Sequence, residues 1–190
     1  MPVILWTYPR TISTAFERSI YMLKDQTQVL HEPLSLCYYF SSDRTTHIPG
    51  YLSMPIDTNA PTFEQQYRNL VAKVEGKKIF SKDMAYYAGN AENQRIMLDT
   101  LESIKQNEGG CDDEIIHTFL IRNPVKAVKS LFKSQLVLDI YNGQTEEEEI
   151  GILELQALYS IVVEERMYIA YYSCLCCAVY YVSLLVSSRW

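Results

Sequence analysis

V-I-L-W-T-Y-P-R-T-I-S-T-A-F-E-R-S, from Val3 to Ser19, decides how this 190-residue chain is read. The run Val3-Ile4-Leu5-Trp6 is short and wholly apolar, and Thr7-Tyr8-Pro9 ends it, which predicts a buried strand. Beyond the break, Ser13 and Thr14 open a segment with apolar residues at Ala15, Phe16, Ile20 and Leu23. That spacing predicts a helix ending near Lys24-Asp25. A strand, a tight turn and a helix N-terminus make an anion site. The first-turn amides have no intrahelical partner, and the helix dipole favours negative charge in front of them. Arg10 adds a fixed positive charge, and the hydroxyls of Thr11, Ser13 and Thr14 add donors. The chemistry this calls for is capture of a phosphate or sulfate. The plainer alternative is an arginine and three hydroxyls capping an ordinary helix. The triphosphate loop G-x-x-x-x-G-K-[ST] does not apply, because no glycine precedes Gly50.

Working outward, the length suits one domain with a sizeable core, and a 48% hydrophobic fraction fits a globular protein. A formal charge of -6, with no basic patch, argues against a nucleic-acid partner. An anionic cofactor must therefore be held by a few placed cations. The five cysteines form no disulfide framework: Cys37 and Cys111 are isolated, and Cys174, Cys176 and Cys177 crowd together. The N-terminus shows no signal-peptide pattern, so a cytoplasmic location is expected. The histidines are scattered and the C-x-x-C of Cys174 and Cys177 stands alone, so no metal is expected.

Along the chain, Thr27 to His31 reads as a second strand stopped by Glu32-Pro33. Leu34 to Ala60 shows no long period and predicts an extended loop with short helical pieces, a lid or substrate wall. Phe63, Tyr67, Leu70, Val71 and Val74 predict a helix over 62–75, capped by Thr62 and ended by Gly76. Lys77 to Met84 is a third strand with Lys82 and Asp83 at its far end. A helix over 90–107 turns Met97, Leu98, Leu101 and Ile104 inward. Ile115 to Ile121 is a fourth strand, ended by Arg122-Asn123-Pro124, and the next helix carries Val125, Val128, Leu131 and Phe132 on one face. Thr145 and Glu148 form a capping-box pattern before a helix from about Glu147 to Arg166, built on Ile150, Leu153, Ala157, Leu158 and Ile161.

This alternation predicts an α/β domain, a three-layer sandwich around a mostly parallel sheet. Ligands bind such sheets at the carboxyl ends of the strands. That rule gathers Tyr8 to Thr14, His31 and Glu32, Lys82 and Asp83, and Arg122 at one edge. His31 is expected to point the other way along its strand, and His117 to be a core or sheet-face residue.

The pattern P-R-x-x-S-T resembles the 5′-phosphosulfate loop of sulfotransferases, which use 3′-phosphoadenosine-5′-phosphosulfate (PAPS) and have a P-loop-like fold. Thr11 stands where the family's commoner loop has Ser, and Ile12 where it has Gly. I-R-N-P-V-K-A-V-K-S, with Arg122 after a strand and Ser130 eight residues on, is similar to the family's 3′-phosphate site. The chain resembles most a group carrying T-P-R-S-x-S-T-A-F-E-R and H-E-P, over about Val3 to Glu165. The resemblance implies that Arg10, Thr11, Ser13 and Thr14 hold the 5′-phosphosulfate and Arg122 and Ser130 the 3′-phosphate. It implies sulfuryl transfer to a hydroxyl or amine of a small molecule or carbohydrate. Many relatives place a base His in K-T-H after the third strand, where this chain has Met84. Glu32 is then the candidate base, with Asp83 next, and Arg10 and Lys82 the catalytic cations. The alternative for Glu32 is a plain ion pair with Arg10 or Lys82. A degenerate, non-catalytic nucleotide binder is the alternative for the whole chain.

The segment from Met167 to Val186, MYIAYYSCLCCAVYYVSLLV, carries no charge. The family's polar link and acidic strand end are missing here. The domain is therefore drawn as 1–166 with a hydrophobic tail over 167–190, read as a truncated end, a membrane anchor through 167–186, or a packed core element.

Overall fold

The computed structural model describes residues 1–107, 114–133, 151–165 and 168–172. Its centre is a parallel sheet of five strands: β1 (Val3–Thr7), β2 (Thr27–His31), β3 (Lys78–Met84), β4 (Ile116–Leu120) and β5 (Tyr168–Tyr172), in the order β2-β3-β1-β4-β5. The strand pairs are parallel throughout, with Leu5 beside Lys82, Thr7 beside Met84 and Trp6 beside Phe119. β1 is buried along its whole length, as a central strand covered on both faces must be. Its alternate residues feed two cores. Ile4, Trp6 and Tyr8 join the larger one, and Val3 and Leu5 join a smaller one with Phe16, Ile20 and Phe80.

On the smaller-core face lies α1 (Ser13–Tyr21). On the other lie α2 (Pro33–Phe40), α4 (Phe63–Leu70), α5 (Ala91–Asn107) and α7 (Ile152–Glu164), so the three-layer α/β class read from the sequence is the observed one. The short α3 (Pro49–Leu52) packs on α2, and α6 (Pro124–Phe132) follows β4. Met97, Leu98, Leu101 and Ile104 of α5 are buried as the period predicts.

Several boundaries and faces differ, for identifiable reasons. α1 stops at Tyr21 rather than Lys24, and its buried face is Ser13, Phe16, Glu17 and Ile20, with Ala15 exposed. Two polar residues thus occupy positions that hydropathy assigns to solvent. α4 stops at Leu70, five residues short of the expected end at 75, because the buried β-branched Val71 leaves helical geometry. Its start is as read: Thr62 and Gln65 form a reciprocal capping box. The region over 34–60 opens with a true helix, α2, with Pro33 in its first turn. α2 is apolar on most sides, so it shows no helical period. In α6, Ala127 and Leu131 are buried while Val125 is exposed. α7 starts at Ile152, because Gly151 adopts φ +71° and lies where a Cβ would meet Tyr86 Cδ1 at 2.7 Å. Its inward residues are Leu155, Leu158, Ile161 and Val162, and Leu153 is exposed. The pattern at Thr145 and Glu148 lies outside the described residues, as do Ile150's helical role, Cys111 and the late cysteines.

Past the boundary drawn at 166, Tyr168–Tyr172 continues the sheet, with Ile116 beside Tyr168 and Leu120 beside Tyr172. Among the described residues, no helix is long and apolar enough to cross a membrane. The rest of the 167–186 segment lies outside them.

Candidate active site

β1 occupies the middle of the sheet, and the chain leaves it toward β2 on one side and later adds β4 on the other. Such a switch opens a crevice at the carboxyl edge. The loop from Tyr8 to Ile12 sits there, leading into α1. Arg10 and Ile12 hold positive φ, 67° and 69°. The left-handed region is unfavourable for a side chain with a Cβ, and a β-branched residue there is a true outlier. Residues held this way are braced by their surroundings and concentrate at functional sites. The braces are visible: Thr11 and Thr7 pair through their hydroxyls, Arg122 Nη1 donates to Arg10 O at 2.8 Å, and the buried Tyr8 hydroxyl donates to Arg122 O. Burial raises the Tyr8 phenol, so it stays protonated and available as a donor.

Sequence separation of 120 residues is closed at one contact, where Arg10 Nε donates to Ser130 Oγ at 3.1 Å. Arg122 sits two residues beyond β4, and Ser130 lies in α6. Arg10, Arg122 and Ser130 therefore meet in front of α1. Among the described residues neither guanidinium has a carboxylate partner, and no hydrogen bond engages the backbone N–H of Ser13 or Thr14. Thr11 and Ser13 are buried and Thr14 is exposed. Two arginines without a carboxylate partner among the described residues, two open amides and several hydroxyls could cradle an anion.

The second half of the edge is built differently. Glu32, at φ 45°, precedes Pro33 and α2. Its Oε1 pairs with Lys82 Nζ, and Tyr87 Oη donates to its Oε2 at 3.2 Å. Lys82 is 0% exposed, so the pair is nearly dry on its side, and the ion-pair alternative for Glu32 takes the form of Lys82 rather than Arg10. Asp83 is buried and accepts from the backbone N–H of Leu34 and of Met84, both at 3.1 Å. Burial is the main cause that holds its carboxyl well above the usual range, with the Leu34 amide pulling the other way. Asp83 thus caps the first turn of α2 and is not poised at the edge as a base.

The sequence predicts structural roles for His31 and His117. His117 does lie in the core, where Trp6 Nε1 donates to its Nδ1 at 2.9 Å. His31 does not point away from the site. It shares a sheet row with Lys82, its Nδ1 lies 2.6 Å from Glu17 Oε2, and its Nε2 lies 4.0 Å from Glu32 Oε1. Sequence reasoning missed Glu17 altogether. Its signal was available in the spacing: Glu17 falls four residues after Ser13, on the same helix face.

Behind Glu32 stands a tyrosine cluster from the region over 34–60 and the turn after β3. Tyr39 and Tyr51 rings lie 4.1 Å apart, Tyr86 and Tyr87 4.5 Å, and the Tyr39 and Tyr86 hydroxyls meet at 3.0 Å. Burial pushes the Tyr39 phenol up to about 12 and raises Tyr87 further, so both remain neutral donors. Among the described residues, no group of three or more His, Cys, Asp or Glu could hold a metal ion.

No family model and no curated protein matches the chain. Solved structures do resemble it in fold. Shikimate kinase from Acinetobacter baumannii, in complex with shikimate, is 13% identical with a TM-score of 0.48, over 100% of this chain and 95% of that one. Deoxyadenosine kinase from M. mycoides with bound dATP is 11% identical with a TM-score of 0.49, over 99% and 100%. A gluconokinase from Sinorhizobium meliloti 1021 is 9% identical with a TM-score of 0.45, over 100% and 97%. Likeness at this level carries no argument about activity.

Proposed function

We propose that the chain binds PAPS at the β1–α1 loop and transfers its sulfuryl group to a hydroxyl or amine of a small-molecule or carbohydrate acceptor. The observation that carries this reading is the meeting of Arg10, Arg122 and Ser130 at the open N-terminus of α1. One anion would sit on the loop amides of Ser13 and Thr14 with Arg10 and Thr11. A second, the 3′-phosphate, would sit on Arg122 and Ser130. A guanidinium offers a planar two-pronged donor to phosphate oxygens, which suits both places. Sulfuryl transfer asks little covalent work of a protein and much positioning and charge stabilisation. Arg10 would stabilise charge on the bridging oxygen of the leaving phosphate, and Lys82 would supply a second cation near the sulfuryl group. Glu32 and its neighbour His31 are the candidate bases at the end of β2.

The test is thermal unfolding with PAPS, adenosine 3′,5′-bisphosphate, AMP and ATP in parallel. A ligand that binds only the folded chain raises Tm by mass action. PAPS and the bisphosphate are expected to raise it and AMP to do so weakly. A rise with ATP alone would replace this reading with phosphoryl transfer, and no rise with any of them would remove the nucleotide site.

A further inference from the structure

The Glu17–His31 pair is larger in consequence than a surface salt bridge. Glu17 is 2% exposed, its Oε2 is 2.6 Å from His31 Nδ1, and its Oε1 has no partner among the described residues. Burying a carboxylate with one oxygen unpaired is costly, and a simple tie between α1 and β2 does not require it. Glu17 follows Ser13 by four residues, about one helical turn or 6 Å along α1. The pair therefore sits directly behind the anion cradle. His31 is 52% exposed, so its ring is open to an incoming acceptor. The carboxylate on Nδ1 favours the tautomer in which that nitrogen carries the proton and Nε2 keeps its lone pair. Nε2 lies 4.0 Å from Glu32 Oε1. Glu32, by contrast, has both oxygens engaged, by Lys82 and by Tyr87.

Resting on the transfer reading above, we infer that His31 is the catalytic base, that Glu17 positions it, and that Glu32 with Lys82 is the electrostatic partner. In the step, the acceptor's oxygen or nitrogen attacks sulfur while the bond from sulfur to the bridging oxygen of the 5′-phosphate breaks. That oxygen keeps the bonding electron pair and leaves as adenosine 3′,5′-bisphosphate. The acceptor's proton passes to His31 Nε2 and then to solvent. The imidazolium so formed stands between two carboxylates, Glu17 and Glu32, with Lys82 on the far side of Glu32. The two carboxylates are thus already in place when the ring takes the proton.

The experiment uses the full chain with PAPS and 2-naphthol, tyramine or glucosamine as acceptor, read as bisphosphate released. His31→Ala is expected to keep wild-type binding of adenosine 3′,5′-bisphosphate and to lose roughly 10²–10⁴-fold in turnover. Added imidazole should restore part of that loss, since the side chain it replaces is half exposed. Glu17→Gln should lose roughly tenfold or more without rescue, because it frees the ring to take the wrong tautomer. Nitrogen-15 spectra at neutral pH should show Nδ1 protonated in the wild type and a mixed population in Glu17→Gln. Wild-type turnover in His31→Ala, or an Nε2-protonated ring in the wild type, overturns the assignment and leaves the transfer reading standing. A wild type that binds the bisphosphate but turns over none of the acceptors sinks the transfer reading, and the role of His31 with it.

Discussion

Ile12 stands at φ 69°, and it is 37% exposed. A left-handed Cβ costs about 1–2 kcal/mol, while a glycine in its place costs roughly 0.5–1 kcal/mol more in chain entropy. Little apolar burial is lost by removing a side chain so exposed. Ile12→Gly should therefore be neutral to stabilising by up to about 1 kcal/mol in urea unfolding, the reverse of the usual effect of such a change. A loss of more than that would mean the Ile side chain braces the loop. Arg122 is the second residue with a decided outcome. In the proposed reading it would hold the 3′-phosphate, and it donates to Arg10 O. A charge-assisted pair is worth about 1.5–3 kcal/mol, so Arg122→Ala should erase a preference of roughly 10–150-fold for adenosine 3′,5′-bisphosphate over AMP, measured by calorimetry. Equal wild-type affinity for the two nucleotides would remove the 3′-phosphate role from Arg122 and Ser130.

Between β1 and β4, Trp6 and His117 form a dry pair whose protonation links the sheet to pH. Burial drives the His117 imidazole down to about 4, against about 6.5 in the unfolded chain. Below 6.5 the unfolded chain takes up a proton that the folded one refuses. The contribution is thus fully present above pH 6.5 and falls by about 1.4 kcal/mol per unit until pH 4, roughly 3 kcal/mol in all. Asp83 runs the other way, since a carboxyl raised by burial favours folding as pH falls. The comparison that isolates the histidine is urea unfolding at pH 7.5 and 4.5 for wild type and His117→Gln, whose amide oxygen can still accept from Trp6. The variant should lose less stability on acidification, and equal losses would mean that His117 is protonated in place. The elements themselves were unevenly legible in the sequence. β1, α5 and the capping box at Thr62 were readable because a strand run, a helical period and a cap are local. α2 was not, because Leu34, Cys37 and Tyr38 are buried among further apolar neighbours, and a helix apolar on most sides carries no period. α1 was readable as a helix but not in its buried face, because Glu17 is held inside by His31 and not by hydropathy.

At the scale of the molecule, the candidate site is made by strand order. Arg10, Thr11, Ser13 and Arg122 could be picked from their types and from the rule that ligands sit at carboxyl edges, whereas Ser130 was implied only by the resemblance to the sulfotransferase 3′-phosphate site. That Arg10 would reach Ser130, and that Leu5, Lys82 and His31 would fall in one row, depends on registers that no local pattern encodes. The same dependence makes β5 matter to the site. β4 pairs with β1 on one side and β5 on the other, and it delivers Arg122 to the cradle two residues beyond its end. Ending the chain at residue 166 would strip β4 of its outer partner and leave a row of open N–H and C=O groups on an apolar strand, Ile116 to Leu120. Exposed edges of this kind are unstable and invite pairing between copies. The ion pairs from Arg95 to Glu164 and Glu165, at 2.9 and 3.3 Å, would remain but lie in solvent and contribute little. Residues 1–166 should consequently unfold at a lower temperature than the full chain, associate in light scattering, and bind adenosine 3′,5′-bisphosphate more weakly, because Arg122 loses the strand that aims it. A separable tail gives the opposite set of results. If residues 1–166 are monomeric, melt with the full chain and bind the nucleotide equally well, then β5 adds nothing to the fold, and the anion cradle is complete on four strands.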